Sequence, residues 1–259
     1  MTSPSLFTSK VVQAKKNIRL VLVYDGTLYQ GWQRQRVAPT IQAALEERIQ
    51  TIIREPVKVM ASGRTDAGVH ALHQVCHFIS GSRMAPESLQ RALNSLLPPD
   101  IFVRRADYVP MDFHARYSAR SKCYEYRLLN RKAPDPFRRF YIWHISTFLD
   151  FSKMQECLPV LLGRHDFSCF RASGSGNIDP VREMIRAELH RDEGGLLRFI
   201  FEADGFLRHM VRNIVGTIVE VGLGKRSFRE FADILQSRNR QMAGVTAPPQ
   251  GLFLQMVYY

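Results

Sequence analysis

The stretch Gly63-Arg64-Thr65-Asp66-Ala67-Gly68-Val69-His70-Ala71 separates two predicted β-strands, residues 57–62 and 74–79. Its glycines, Gly63 and Gly68, allow a sharp turn and the close approach of another molecule. The pattern therefore predicts a glycine-bounded loop between paired strands. Asp66 within it has two interpretations: a reactive carboxylate kept ionised by the nearby Arg64, or a turn aspartate that bonds to its own backbone.

The elements around this loop predict a βαββαβ order. A strand is expected over residues 18–24 and a helix after Thr40, a suitable N-cap. A second helix opens at Pro86 and ends before Pro98-Pro99, and a strand follows over residues 101–105. This order is that of a ferredoxin-like unit.

The second half predicts similar elements with insertions. Strands are expected over residues 123–129, 185–190, 196–203 and 252–258, and helices over residues 151–162, 208–221 and 228–236. The expected fold class is α+β, with two ferredoxin-like (RRM-like) units that have antiparallel sheets. We expect a disordered polar arm over residues 1–16, a unit over 17–109 that carries the glycine-bounded loop, and a unit over 110–259.

The charge balance suits a polyanionic partner such as RNA. The chain has 36 Lys and Arg against 24 Asp and Glu, a net charge of +12. Residues 104–139 alone contain ten Lys and Arg against four Asp and Glu, with tyrosines and phenylalanines between them. Basic groups neutralise phosphates, and flat rings stack on unpaired bases, although aromatic residues alternating on strands also fill cores.

Membrane and secretion classes do not fit the sequence. No apolar run approaches the roughly 20 residues of a spanning helix, and the first sixteen residues lack the apolar stretch of a signal peptide. Cys76, Cys123, Cys157 and Cys169 form no CxxC pair. We therefore expect a cytoplasmic protein with reduced cysteines, without a disulfide framework or a zinc ribbon.

Three function classes remain open from the residues themselves. The first is an RNA-modifying enzyme that uses Asp66, and the second is a non-catalytic RNA-binding protein built from two RRM-like units. The third is a metallohydrolase that would use His70, His73 and His77 with Asp66. No RNP1-type segment supports the second class, and if residues 74–79 form a strand, His70 lies in the loop before it.

Further segments of the chain add to the evidence from residues 63–71. Together they resemble the TruA family of tRNA pseudouridine synthases, of bacterial type, from about residue 18 to residue 258. The departures are Ala61-Ser62 and Gln250, neither of which has a catalytic role in the resemblance. The matching segments, in the order of the family, are Tyr24-Asp25-Gly26-Thr27, Tyr29-Gln30-Gly31-Trp32-Gln33, Thr40-Ile41-Gln42, Phe113-His114-Ala115-Arg116, Lys122-Cys123-Tyr124-Glu125-Tyr126, Met210-Val211-Arg212-Asn213-Ile214-Val215-Gly216, Ala247-Pro248 and Gly251-Leu252-Phe253-Leu254.

The resemblance implies roles for individual residues. Asp66 is the nucleophile, and Arg212 pairs with this carboxylate and favours its ionised form. Tyr124 stacks on the target base and takes part in proton transfer, Arg64 inserts beside the flipped nucleotide, and Leu252 lines the pocket. From the residues alone, Arg212 equally fits a phosphate-binding arginine, and Tyr124 a core aromatic.

The resemblance also implies the reaction and the partners. The reaction is the isomerisation of uridine to pseudouridine in the tRNA anticodon stem-loop, at positions 38–40, without a cofactor, nucleotide or metal. The implied partners are tRNA and a second copy of the chain in a homodimer. Within each chain, the sheets of the two units are implied to join into one extended sheet with a basic cleft. We expect tRNA contacts from the basic residues Arg116, Arg120, Arg131 and Lys132.

Overall fold

The computed structural model describes residues 14–174 and 179–259. Within these residues ten strands form one sheet. The strands are β1 (Lys16–Tyr24), β2 (Met60–Ala61), β3 (His70–Ser80), β4 (Ile101–Val109), β5 (Ser121–Asn130), β6 (Trp143–Ile145), β7 (Gly163–Asp166), β8 (Val181–Arg191), β9 (Leu196–Ala203) and β10 (Leu252–Tyr258). The α-helices are α1 (Ile41–Ile53), α2 (Pro86–Leu96), α3 (Phe151–Glu156), α4 (Met210–Gly222) and α5 (Phe228–Ser237).

The C-terminal strand joins the two halves of the chain. The strand order is β4-β1-β3-β10-β5-β9-β8-β7, with β2 beside β3 and β6 beside β5. Strand β10 pairs with β3 in parallel and with β5 in antiparallel orientation. The sheet is therefore mixed, whereas we expected antiparallel sheets, because a strand that arrives by a long crossover connection can pair in parallel. We call β3, β10 and β5 the seam.

Capping signals in the sequence predicted where the two helices of the first half begin. The side chain of Thr40 accepts a hydrogen bond from the backbone N–H of Ala43, and α1 begins at the next residue, Ile41. Helix α2 begins at Pro86, whose missing N–H has no partner to lose at a helix start. Strand β2 is shorter than predicted and β3 is longer, because β3 pairs with β1 along most of its length.

Other predictions were wrong in detail. The helix predicted over residues 151–162 ends at Glu156, because Pro159 has no N–H to continue it, and a 3-10 turn Pro159–Leu161 follows. The short strands β6 and β7 were not predicted. Lys16 begins β1 instead of ending the polar arm, and residues 1–13 of that arm lie outside the described residues.

The structure bears on the membrane and cysteine expectations as well. Across residues 14–174 and 179–259 no helix has the length and apolar content to cross a membrane. All four cysteines are buried free thiols, and burial raises the pKa of Cys76, Cys123, Cys157 and Cys169.

Buried histidines make the fold sensitive to acid. Burial lowers the pKa of His70, His73 and His77 below the usual 6.5. The Nδ1 atoms of His70 and His77 accept hydrogen bonds, each of 3.1 Å, from the backbone N–H groups of Gly26 and Ala115. A protonated Nδ1 cannot accept these bonds, so the folded state favours the neutral rings.

We expect the melting temperature to fall as the pH decreases below about 6.5, where the unfolded chain binds protons on these histidines more readily than the folded protein does. The measurement is the melting temperature between pH 8 and pH 5. His77→Asn should reduce the slope, since the amide oxygen can replace Nδ1 as an acceptor and does not titrate. His190→Asn, at an exposed position, is the matched control, and an equal reduction by both would reject the explanation.

Candidate active site

The loop between β2 and β3 brings Asp66 against helix α4. Nη1 of Arg212, in the first turn of α4, lies 3.1 Å from Oδ2 of Asp66, although the two residues are 146 positions apart. Nε of Arg212 donates a 2.8 Å hydrogen bond to the carbonyl oxygen of Ala247. The guanidinium is thus fixed from two sides. The carboxylate remains accessible, with 27% of its side chain exposed against 13% for Arg212.

His209 is a member of the site that the sequence analysis missed. Its Nε2 lies 3.5 Å from Oδ2 of Asp66, and its backbone is left-handed, with φ of 62°. Burial lowers the pKa of His209, the Asp66 carboxylate opposes this effect, and the Arg212 guanidinium adds to it. Because His209 precedes α4 in a left-handed conformation, helical spacing from Arg212 does not predict this contact, and the sequence carried no signal for it.

Buried hydrogen bonds hold the Asp66 loop from beneath. The Tyr24 hydroxyl lies 2.8 Å from Oγ1 of Thr65, and burial raises the pKa of Tyr24 to about 12, so this hydroxyl stays protonated. Nε2 of Gln74 donates to the carbonyl oxygen of Gly63 at 2.9 Å and to the Tyr24 hydroxyl at 3.3 Å. Ser62 donates to Oε1 of Gln74 at 2.7 Å. These bonds fix the shape of the loop before any substrate binds.

A second loop, residues 25–32, holds the Asp66 loop from the side. The backbone N–H of Trp32 donates to the carbonyl oxygen of Thr65 at 3.0 Å. Gly31 has φ of 84°, and a Cβ there would lie 2.6 Å from that same oxygen, so only glycine fits. Gly68 likewise has a positive φ of 74° and provides the predicted turn, whereas Gly63 does not have a positive φ.

Tyr124 and Leu252 lie at the seam. Tyr124 on β5 pairs with Leu254 on β10, and its ring meets Phe206 edge-on at 5.0 Å. Burial raises the pKa of Tyr124, and the charges of Tyr24 and Asp66 raise it further, so the hydroxyl stays protonated. Leu252, the first residue of β10, is buried. Tyr126 is a core residue, and its hydroxyl donates to the carbonyl oxygen of Pro248 at 2.8 Å.

Arg64 is exposed on the same loop as Asp66. In the part of the chain that the structure describes, no hydrogen bond or ion pair holds its guanidinium. It therefore differs from Arg212, which two partners fix in place. An exposed, unrestrained guanidinium beside the carboxylate is available to a ligand.

The other basic residues occupy two places. Arg116 and Arg120 precede β5, and Arg131 and Lys132 follow it. A ten-residue strand spans about 33 Å, so these pairs lie at opposite ends of the strand that carries Tyr124. Arg116, Arg120 and Lys132 are exposed. Arg131 is partly engaged by its own loop, since its Nε donates to the carbonyl oxygen of Ala133 at 2.9 Å.

Two of the three histidines considered as metal ligands, His70 and His77, have other partners. His70 is the first residue of β3, not a loop residue, and its Nε2 lies 3.0 Å from the carbonyl oxygen of Phe140. His77 accepts its hydrogen bond from Ala115. Among the described residues, no three His, Cys, Asp or Glu side chains are grouped so that they could hold a metal ion.

Comparison with known proteins identifies the family. The profile of the family described as tRNA pseudouridine synthase matches residues 21–118 and 159–259. The chain is 46% identical over 244 residues to tRNA pseudouridine synthase A of Thermoanaerobacter sp. (strain X514), covering 94% of this chain and 100% of that protein. It is 44% identical over 244 residues to the protein of the same name from Acetivibrio thermocellus, again covering 94% and 100%. To the Myxococcus xanthus protein of that name it is 43% identical over 242 residues, covering 93% of this chain and 91% of that protein. The chain that pairs Asp66 with Arg212 thus belongs to the bacterial tRNA pseudouridine synthase A (TruA) family of enzymes.

Proposed function

We propose that this tRNA pseudouridine synthase acts on uridines of the anticodon stem-loop, at positions 38–40, and that Asp66 is its nucleophile. The contact of 3.1 Å between Asp66 and Arg212 carries the assignment of the carboxylate, because the fixed guanidinium orients a carboxylate that is still accessible to a substrate. Exposed cations at both ends of β5, about 33 Å apart, support a long RNA arm lying across the site between them.

The reaction rearranges the nucleoside without adding or removing atoms. The bond from uracil N1 to the ribose C1′ breaks, the base turns, and C5 bonds to C1′. The proton on C5 is then lost and N1 gains one. Asp66 can attack C1′, attack C6 of the base, or assist through a glycal, and each route requires an ionised carboxylate at the target nucleotide. The balance of atoms requires no cofactor, nucleotide or metal.

The neighbouring side chains have separable roles in this proposal. Arg212 holds the Asp66 carboxylate in position through the 3.1 Å contact of its Nη1 atom. Tyr124 stacks on the target base, and its protonated hydroxyl supplies a proton-transfer group beside it. Leu252 forms the apolar wall of the base pocket, in keeping with its burial at the start of β10. Arg64 occupies the space left by the flipped nucleotide.

Modification of the proposed positions can be tested directly. Unmodified tRNA transcripts and isolated anticodon arms are incubated with the enzyme in EDTA, with monovalent salt to keep the RNA folded, and pseudouridines are then mapped. We expect modification at positions 38–40 in both substrates, without added nucleotide. Modification confined to another arm would reject the site of action, and activity that requires Zn²⁺ or Fe²⁺ would reject the cofactor-free mechanism.

Arg64→Ala should reduce the single-turnover rate while leaving the affinity for tRNA nearly unchanged. The side chain is proposed to act only after the nucleotide has flipped, so its removal raises the barrier and not the Kd. Arg116→Ala is the matched control: it should weaken binding of all tRNA species and reduce the salt-dependence slope by about one.

A mismatch at the target uridine separates the two kinds of arginine. A mismatched base is easier to extrude, which should restore part of the rate to Arg64→Ala. It should not restore binding to Arg116→Ala, nor to variants of Arg120, Arg131 or Lys132. If the mismatch helps every variant equally, Arg64 is one more backbone contact.

Two further features complete the proposal. The first is the division into two ferredoxin-like units, residues 17–109 and 110–259, supported by the βαββαβ order of the first half and by β10 linking the two parts. The second is a homodimer in the cytoplasm, where tRNA and reduced cysteines occur together. Analytical ultracentrifugation of the enzyme at several concentrations tests the dimer, and a single species with the mass of one chain would reject it.

A further inference from the structure

Lys122 is a partly buried cation beside the Asp66 loop. It lies on β5 two residues before Tyr124, and side chains two apart on a strand share one face. A Cβ placed on Gly63 would be 3.8 Å from Cε and 3.9 Å from Nζ of Lys122. The ammonium group therefore lies directly against the loop, three residues before Asp66.

The surroundings of Lys122 are positively charged. Burial, followed by the charges of Arg116 and Arg182, lowers the pKa of Lys122 to about 8, and Asp204 alone opposes them. In residues 14–174 and 179–259 no carboxylate forms an ion pair with its Nζ. Arg182 is held by the carbonyl oxygen of Asp179, to which its Nη1 donates at 2.9 Å. Lys122, Arg116 and Arg182 are thus three cations that share one nearby carboxylate, Asp204, which forms no ion pair with Nζ of Lys122.

We propose that Lys122, with Arg116 and Arg182, binds a backbone phosphate of the RNA next to the target uridine. A partly buried ammonium group without an anionic partner destabilises the folded protein, so an anion is expected to complete the site. Its position on the same strand face as Tyr124 places that anion within one nucleotide of the base proposed to stack there. The inference rests on the proposed position of the target uridine at Asp66.

The first test measures binding apart from turnover, with Asp66→Asn enzyme as the background. Adding Lys122→Met should weaken tRNA binding about tenfold and reduce the salt-dependence slope by about one. Lys225→Met, at an exposed lysine far along the chain, is the matched control and should change neither. Equal effects of the two substitutions would overturn the proposal.

The affinity should also depend on pH in a defined direction. Above pH 8 the free enzyme loses the Lys122 proton, whereas a bound phosphate holds it, so tRNA binding takes up a proton and weakens as the pH rises from 7 to 9. Arg116, Arg182 and Asp204 are the other charged groups that act on Lys122. Lys122→Arg should remove the pH dependence and retain affinity at pH 9; a Lys122→Arg profile that matches the Lys122 enzyme would contradict the assignment.

A methylphosphonate scan locates the phosphate. Each phosphate near the target uridine is replaced singly by the uncharged group, and binding is measured with and without Lys122→Met. One position should weaken the Lys122 enzyme and have no additional effect on the variant. Additive losses of affinity at every position would reject the phosphate site. If the non-additive position instead lies next to a modified uridine outside the anticodon arm, the phosphate site is upheld and the proposed position of modification is rejected.

Folding of the variant provides an independent readout. Because the substitution removes an unpaired, partly buried charge, Lys122→Met should raise the melting temperature at pH 7, with a smaller gain at pH 9. A lysine that served only to support the structure would give a lower melting temperature, and that result would count against the proposal.

Discussion

Asp66→Asn is expected to abolish turnover while leaving tRNA binding within a few-fold of the unchanged enzyme. The substitution keeps the shape of the side chain and removes its charge and nucleophilicity. We expect a loss in rate of roughly 10⁴-fold or more, on the order of 5 kcal/mol of activation free energy. Single-turnover kinetics with excess enzyme measure the rate, and filter binding measures the affinity.

The structure supplies a control for this substitution. Asp25 is also a partly buried aspartate close to a histidine, with Oδ1 3.1 Å from Nδ1 of His70. It lies on the loop that holds the Asp66 loop from the side, so Asp25→Asn should affect stability more than the chemical step. Measurable multiple turnover in a clean Asp66→Asn preparation, or an equal loss of rate in both variants, would remove Asp66 from the chemistry.

Local chemistry explains why much of the fold could be predicted. Thr40 caps helix α1, Pro86 begins helix α2, and each helix has its own apolar stripe. These local features predict both helices without knowledge of where the rest of the chain lies. Strands β6 and β7 have only three and four residues, too few for an alternating pattern to identify them. The parallel pairing of β10 with β3 joins residues more than 180 positions apart, so it is a long-range property.

The candidate site likewise has residues that the local sequence predicts and residues that only the folded structure reveals. The loop carrying Asp66 stands out in sequence because glycine is needed where φ is positive, as at Gly68. The resemblance to the family assigned Arg212 to the site, and the structure places its guanidinium against Asp66. His209 and Lys122 went unassigned because an isolated histidine or lysine carries no pattern. Their significance comes from the burial and charges of neighbours that only folding assembles.

Arg212→Met is expected to lower the single-turnover rate by about 10²-fold, on the order of 3 kcal/mol. The substitution removes the charge that faces Asp66 and the bond of 2.8 Å to the carbonyl oxygen of Ala247. His209 lies 3.5 Å from the carboxylate, and burial, the largest influence on its pKa, still disfavours its charged form in the variant. Loss of the guanidinium removes a second effect that lowers this pKa, so we expect His209 to replace the missing cation only in part. Arg212→Lys restores the charge without both hydrogen bonds and should recover part of the rate.

The comparison that decides the role of Arg212 is with Arg229→Met, an exposed arginine on α5. If Arg212 acts on the carboxylate, its substitution should lower the rate at saturating enzyme, whereas Arg229→Met should leave that rate unchanged. If Arg212 instead binds a phosphate, as its place at a helix start also allowed, Arg212→Met should weaken tRNA binding and reduce the salt-dependence slope while saturating enzyme restores the rate. The contact of 3.1 Å with Asp66 favours the first outcome, because the charge of the guanidinium already faces a carboxylate and two of its five N–H donors are engaged.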